Sequence, residues 1–225
     1  MRGALVALLA LCLLGQKVAS SDRDRTPQEK VLEPASPANV TASVKSVEYC
    51  KGDSEIYAAH LHLRLELTNL SAGNLILYEP KKAIEIVSGV VGANVRALEE
   101  KQYEVDLAWD QFVEPPRIAE SERPDANLFA VIPAGGSHQL TGEVTVLVRF
   151  KASPHVPGTV AHGDHAMIVD VNDWPFGIDS AGRLQAKWAR YGLLSSNTIR
   201  SQPFVFSIPS EPELKDCSVR ASVRE

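Results

Sequence analysis

EIYAAHLHLRLELTNL, residues 55–70, alternates apolar and polar side chains along nearly its whole length. Successive side chains of a β-strand point to opposite faces, so this period of two predicts a long strand with one face buried and one face in water. The first set is Tyr57, Ala59, Leu61, Leu63, Leu65 and Leu67, and the opposite set is Ala58, His60, His62, Arg64, Glu66 and Thr68. We expect this strand to lie centrally in one sheet.

Runs of the same kind recur along the chain and are separated by turns rich in Gly, Pro, Asn and Asp. In the run before residues 55–70 the apolar phase changes near Ser46, which predicts a β-bulge or a bend. The other runs predicted as strands are 39–50, 75–78, 83–91, 101–110, 128–132, 139–151, 166–171 and 201–209. In the run at 101–110 the presumed core face is formed by Tyr103, Val105, Leu107 and Trp109. The pattern predicts an all-β protein, an antiparallel β-sandwich of about eight or nine strands.

The segment GRLQAKW, residues 182–188, fits two kinds of element. Leu184, Trp188 and Tyr191 recur at helical spacing, whereas Leu184, Ala186 and Trp188 alternate as strand residues do. No strong N-cap leads into a long helix here, so a strand is the preferred interpretation and a helix is the alternative.

The ends of the chain differ from its middle in composition. Arg2 precedes an apolar run over 4–14 that is too short to span the ~30 Å of a bilayer core, as in a signal peptide. The predicted organisation is a signal peptide at 1–20, a flexible lead-in at 21–38, a single β-sandwich domain at 39–209 and a mobile polar tail at 210–225. We therefore expect a secreted or periplasmic protein that does not span the membrane after signal cleavage.

Charge and cysteine content limit the chemistry. The formal net charge is -5 and no basic block is visible, so nucleic acid is not an expected partner. After signal cleavage Cys50 and Cys217 remain, and an even count in an exported chain permits a disulfide. The pairing stays open, because the sequence does not show that their Cα atoms come within ~7 Å. Neither cysteine is in a CxxC pair, so redox catalysis is not indicated.

Four stretches carry a resemblance to a known group of proteins: LTNLSAGNLILYEP, IPAGGSHQLTGEVTVLV, RLQAKWARYG and SQPFVFSIP. In their strands and turns they resemble exported immunoglobulin-like β-sandwich domains of bacteria, over most of the mature chain. The resemblance implies an immunoglobulin-like fold and a habit of secretion. It implies no catalytic signature, and the paired-cysteine and tryptophan spacing of antibody domains is absent.

Histidines and aspartates suggest two kinds of metal site. His60 and His62 share one face of a strand, and His162, Asp164 and His165 cluster in the motif HGDH, a set of ligands that suits zinc. The alternative is that these residues are ordinary polar-face and loop side chains. A calcium site is the second idea, and its oxygen ligands would come from Asp170, Asn172, Asp173 and Asp179. The same residues simply make a turn in the simpler interpretation, which we favour.

Catalytic motifs are not apparent in the sequence. Ser137 and His138 are adjacent, so on a strand their side chains point in different directions, and no G-x-S-x-G is present. Glu114 and Glu120 form an acid pair in a predicted surface loop at 110–126, as any acidic loop would. We therefore predict a protein that is not an enzyme and that needs no cofactor.

Aromatic residues in the turn DWPFG offer a contact point for a partner. Trp174 and Phe176 either anchor a protein or glycan partner at the cell envelope or plug one end of the sandwich. The prediction that follows is a non-enzymatic binding or interaction domain with an unidentified ligand. The alternatives are a structural or assembly accessory of the cell envelope, which pairs sheet edges with another β protein, and a histidine-based metal-binding domain.

Overall fold

The computed structural model describes residues 36–79, 84–85, 88–108, 122–151, 156–171 and 178–217. The chain from Ala35 onward forms one compact unit. Several predictions lie outside the described residues: the signal peptide at 1–20, nearly all of the lead-in, most of the loop at 110–126 with Glu114 and Glu120, Trp109, Asn172, Asp173, Trp174 and Phe176.

Strands dominate the described residues, which confirms the prediction of a β protein. The strands are β1 Ala38–Cys50, β2 Ile56–Asn69, β3 Leu75–Tyr78, β4 Ile84–Glu85, β5 Ser88–Gly92, β6 Val105–Ala108, β7 Phe129–Ile132, β8 Ser137–Arg149, β9 Gly163–Val171, β10 Leu193–Leu194, β11 Ile199–Arg200, β12 Phe204–Ile208 and β13 Leu214–Lys215. The helices are α1 Val95–Glu99 and α2 Ile178–Trp188. Within this part of the chain, neither helix has the length and hydrophobicity needed to cross a membrane.

Strand β2 lies in the middle of a five-stranded sheet of order β13-β1-β2-β8-β4. It pairs antiparallel with β1 on one side and with β8 on the other. Each side chain of its predicted apolar face is at most 1% exposed, as the alternation predicts. Full burial of one leucine contributes about 1.5–3 kcal/mol, so this strand is a main source of core stability. The pairing of β1 with β2 shifts register between Val44 and Ser46, which confirms the predicted bulge.

Strand β9 organises the second sheet, whose order is β11-β9-β5-β6, and β12 also pairs with β9. Met167 and Val169 of β9 and Phe204 and Phe206 of β12 belong to the same buried cluster as the leucines of β2. The two sheets therefore share one hydrophobic core.

Strand β3 is covered on both faces. Leu75 and Leu77 belong to the main core, whereas Ile76 packs in a second cluster with Leu184 and Trp188 of helix α2. An uninterrupted apolar run, LILY, is what a strand with two covered faces requires. Helix α2 thus protects the side of the small sheet β10-β3-β7 that points away from the main core.

The strand preferred for residues 182–188 is wrong, because this segment lies in helix α2. Ala181, Leu184 and Trp188 are buried while Ala186 is exposed, which is a helical and not an alternating pattern. One apolar stripe of this segment covers Ile76 and its neighbours, and a helix presents such a stripe. The helix forms although the sequence has no strong N-cap before it.

The sequence predicted antiparallel sheets throughout, and the structure differs from that prediction at three strand pairs. Strands β13, β10 and β4 pair parallel with β1, β3 and β8. The thirteen described strands also exceed the predicted number, because β4, β10, β11 and β13 are only two residues long. Such short pairings add too few alternating residues to be detected by periodicity.

The strand predicted at 101–110 begins only at Val105. A short helix, α1, precedes it, and the side chain of Asn94 caps that helix by accepting a hydrogen bond of 2.9 Å from the backbone N–H of Ala97. Tyr103, which was predicted to face the core, lies in the turn between helix and strand and is 38% exposed. Val105 and Leu107 are buried as predicted.

Candidate functional site

A pocket of about 590 Å³ opens where β8 ends, β9 begins and β12 ends. We call it the end pocket, and it is lined by Arg149, Lys151, Ala161, His162, Gly163, Ser207, Ile208, Pro209 and Ser210. Its walls come from both sheets, because β8 belongs to the first sheet while β9 and β12 belong to the second.

Backbone pairing brings these distant segments together. Arg149 N donates a hydrogen bond of 3.1 Å to Val160 O, and Val160 N donates one of 2.9 Å to Leu147 O, so the chain entering β9 runs beside the end of β8. On the other side, Ser207 of β12 stands opposite Asp164 of β9. The end pocket is therefore a product of long-range pairing.

Tyr57 and His162 form a packed aromatic group beside the pocket. The Tyr57 hydroxyl lies 3.4 Å from His162 Nε2, and the ring centroids of Tyr57 and Phe150 are 5.1 Å apart. Burial, with a smaller contribution from the charge of Tyr49, raises the pKa of Tyr57 to about 12, so its hydroxyl is neutral at ordinary pH. The other ring nitrogen of His162, Nδ1, is buried and has no hydrogen-bond partner among the described residues.

The lining of the end pocket is rich in groups that favour an anion. Arg149 and Lys151 are cations, and Ser207 and Ser210 offer hydroxyl donors. None of the nine lining residues is an aspartate or a glutamate, although the chain as a whole carries a formal charge of -5. The neighbouring Asp164 is exposed and is not part of the lining. A carboxylate, phosphate or sulfate group has the chemistry that this lining would bind.

The histidines of the HGDH motif do not meet at one point. His165 is only 4% exposed, its Nδ1 lies 2.9 Å from Glu104 Oε2, and its Nε2 donates a hydrogen bond of 2.8 Å to Ala161 O. His162 instead lies against Tyr57, and Asp164 is exposed. Both nitrogens of His165 are thus engaged within the protein, and the structure assigns it to packing beside Phe206, where the ring centroids are 5.5 Å apart.

His60 and His62 share one face of the first sheet, as predicted, and they meet a carboxylate there. Glu143 of β8 stands opposite His62, and its two oxygens lie 3.5 Å from His60 Nδ1 and 3.6 Å from His62 Nδ1. Thr145 Oγ1 is 2.9 Å from His60 Nδ1. Ligand atoms taken one each from His60, His62 and Glu143 do not all lie within 4.8 Å of one another. Metal binding at His60 and His62 therefore stays a prediction.

Cys50 and Cys217 are joined by a disulfide, with their Cα atoms 5.5 Å apart. The tail, which was predicted to be mobile from residue 210, instead carries β13, and β13 pairs parallel with the end of β1. Lys215 Nζ lies 3.6 Å from Glu48 Oε1 on the same strand pair. The sequence permitted this disulfide, but the pairing of β13 that holds it was not predicted.

The remaining polar candidates have structural partners. His138 Nε2 lies 2.6 Å from Glu79 Oε2, whereas the Ser137 hydroxyl is 3.3 Å from that of Thr68, so the adjacent serine and histidine do not cooperate. Asp170 accepts hydrogen bonds of 2.8 Å from Ser88 Oγ and 2.9 Å from Arg200 Nε. Asp179 lies in helix α2.

Sequence reasoning missed the basic and hydroxyl residues of the end pocket. Arg149 and Lys151 are two apart at the end of a strand, which is the only local signal that they share a side. Comparison with known proteins adds nothing to this picture: no family model, no curated protein and no solved structure matches the chain.

Proposed function

We propose that this protein is a secreted or periplasmic, non-enzymatic binding domain whose end pocket holds an anionic group of a small molecule or an envelope glycan. The observation that carries the proposal is the lining of the pocket. Arg149, Lys151, Ser207 and Ser210 line an open pocket of about 590 Å³, and none of its nine lining residues carries a carboxylate.

Arginine is the main determinant of affinity in this proposal. Its planar guanidinium donates two parallel hydrogen bonds to a carboxylate or phosphate, and a hydrogen bond to a charged group is worth about 1.5–3 kcal/mol. Arg149 is only partly exposed, so its interaction with an anion is less screened by water than that of the exposed Lys151. Lys151 contributes mainly to attraction at a distance.

We also propose that the two sheets form an immunoglobulin-like sandwich. Support comes from the single hydrophobic core that the sheets share and from the long antiparallel ribbon β1-β2-β8. Loops at the ends of such sandwiches carry binding sites in many proteins, and the end pocket lies at strand ends. An experimental structure in which the two sheets did not pack face to face would contradict this arrangement.

Titration calorimetry with matched ligands tests the binding proposal. We expect inorganic phosphate, sulfate or galacturonate to bind the oxidised mature protein, and we expect the neutral sugar galactose not to bind. Affinity should fall as salt is added, because the attraction is largely electrostatic. If none of the three anions binds at millimolar concentration, the end pocket is not an anion site and the proposal fails.

Variants locate the binding. Arg149→Gln should weaken the anion that binds best by about 10-fold or more, which corresponds to the loss of one charge-assisted hydrogen bond. Arg64→Gln is the matched control, because Arg64 is an exposed arginine of the neighbouring strand β2 and does not line the pocket. Equal losses in the two variants would point to general charge attraction and not to the end pocket.

A further inference from the structure

The disulfide lies beside a carboxylate. The Sγ atoms of Cys50 and Cys217 and a carboxylate oxygen of Glu48 all lie within 4.8 Å of one another, and within the described ranges no other group of three His, Cys, Asp or Glu side chains lies this close. Glu48 and Cys50 are two residues apart in β1, so both project from the same face of the sheet. Cys50 is buried, whereas Glu48 and Cys217 are partly exposed.

Contacts other than the disulfide hold the three side chains together. Strand β13 pairs parallel with β1, with Tyr49 opposite Leu214 and Cys50 opposite Lys215. Lys51 N donates a hydrogen bond of 2.8 Å to Lys215 O, and the side chain of Leu214 packs against the main core. These contacts do not involve the sulfur–sulfur bond, so they favour a position of Cys217 near Cys50 in the reduced protein as well.

We propose that the reduced protein binds a thiophilic divalent cation, with zinc as the preferred ion, through Cys50, Cys217 and Glu48. Two thiolates and a carboxylate are ligands that zinc accepts, and water completes a tetrahedral shell. The oxidised protein has no thiolate at this place, so the oxidation state of the cysteines decides whether the cation binds. The cation then replaces the disulfide as the link between β1 and the C-terminal strand.

The chemistry balances with a dithiol as the reductant. The dithiol gives two electrons and two protons to the disulfide, the sulfur–sulfur bond breaks, and two cysteine thiols and one cyclic disulfide of the reductant are formed. When zinc binds, each thiol releases its proton to solvent and becomes a thiolate ligand. The cyclic disulfide of the dithiol can reverse this exchange: it takes two electrons from the two thiolates and two protons from solvent, the protein disulfide forms again, and the cation is released.

Cobalt provides a direct probe of the site, because Co²⁺ substitutes for Zn²⁺ and its bonds to thiolates absorb in the near ultraviolet. The full mature chain is reduced with dithiothreitol, freed of reductant without air, and titrated with Co²⁺ and then with Zn²⁺. We expect one Co²⁺ per chain with thiolate-to-cobalt absorption, displacement by Zn²⁺, and no such absorption in the oxidised protein. Absence of this absorption from the reduced protein overturns the proposal.

A carboxylate variant tests the third ligand. Glu48→Gln should weaken zinc binding by the reduced protein about 10- to 100-fold and alter the cobalt spectrum, while the oxidised variant keeps its disulfide and its circular dichroism. Glu66→Gln removes an exposed carboxylate from the same face of the sheet and should bind zinc as the wild type does. If Glu48→Gln binds zinc as tightly as the wild type, the cysteines act as a bare two-thiol chelate and the proposal is wrong.

Discussion

Tyr57 illustrates how the surroundings of one side chain set its chemistry. It was predicted as a core residue from the alternation of residues 55–70, and its side chain is fully buried. The sequence did not predict its neighbours, Tyr49, Phe150 and His162, whose rings surround it. Because burial disfavours the charged phenolate, the pKa of Tyr57 is raised to about 12.

This shift predicts a loss of stability at alkaline pH. The folded pKa of about 12 lies above the reference value of 10.0, so the contribution of Tyr57 is complete below about pH 10 and disappears as the pH rises toward 12. We expect the free energy of unfolding of Tyr57→Phe to decline less steeply than that of the wild type between these values. Urea denaturation at several pH values measures the difference.

Tyr49 and Tyr78, whose pKa values are also raised by burial, titrate in both proteins, so the difference between wild type and variant isolates Tyr57. Parallel decline in the two proteins would show that Tyr57 ionises without affecting folding.

His60 and His62 show what periodicity does and does not reveal about a side chain. Their shared face was predicted correctly, since it depends only on their spacing in one strand. Glu143 was not predicted as their neighbour, because its position depends on the register between β2 and β8. One step in that register would have turned Glu143 toward the core.

Helix α2 packs against the second face of β3 and shields it from water. Ile76 of β3 and Phe129 of β7 belong to one buried cluster with Trp188 of the helix, and the ring centroids of Phe129 and Trp188 lie 5.0 Å apart. The sequence of the helix fits both a helical and a strand period, so local pattern was not decisive. The requirement of a neighbouring sheet resolved the ambiguity.

Two substitutions distinguish the helix from the strand that was preferred from the sequence. Trp188→Ala should lower the free energy of unfolding by about 3–5 kcal/mol, because it removes a fully buried indole. Ala186→Asp should lower it by only about 1 kcal/mol, because Ala186 is on the exposed side of α2 and the cost comes from the weaker helix propensity of Asp and its negative charge in the last turn. Denaturant unfolding followed by circular dichroism measures both changes. A cost of several kcal/mol for Ala186→Asp would mean that residue 186 is buried, as it would be in the strand.

The disulfide links the end of the first described strand to the segment that follows the last one. Cys50 and Cys217 are 167 residues apart, so their bond closes nearly the whole described chain into one loop. A crosslink over a long loop restricts the unfolded chain strongly, and its loss commonly costs about 2–5 kcal/mol. Strand β13 is too short to hold the end of the chain with comparable strength.

The double variant Cys50→Ser with Cys217→Ser tests this link. Its free energy of unfolding, measured in urea with a chelator present, should be lower than that of the oxidised wild type by about 2–5 kcal/mol. The wild type reduced in the same buffer serves as the control and should resemble the double variant. Equal stability of the oxidised wild type and the double variant would show that the β1-β13 pairing alone holds β13 in place.

The sequence by itself determined the β character of the chain, the buried face of β2, the bulge near Ser46 and most long strands. These features depend on local sequence, because alternation over a few residues shows which face of a strand is buried. Secretion and a signal peptide remain predictions from the same local kind of pattern.

Only the tertiary structure decided which segments and side chains of the chain contact one another. It placed helix α2 on β3, set Glu143 between His60 and His62, and paired strand β13 with β1. It also gathered the basic and hydroxyl groups of the end pocket from strands far apart in the chain. The physical reason is that strand pairing and side-chain packing act between segments that folding brings together. The periodicity within one segment does not show which other segments lie beside it in the folded protein.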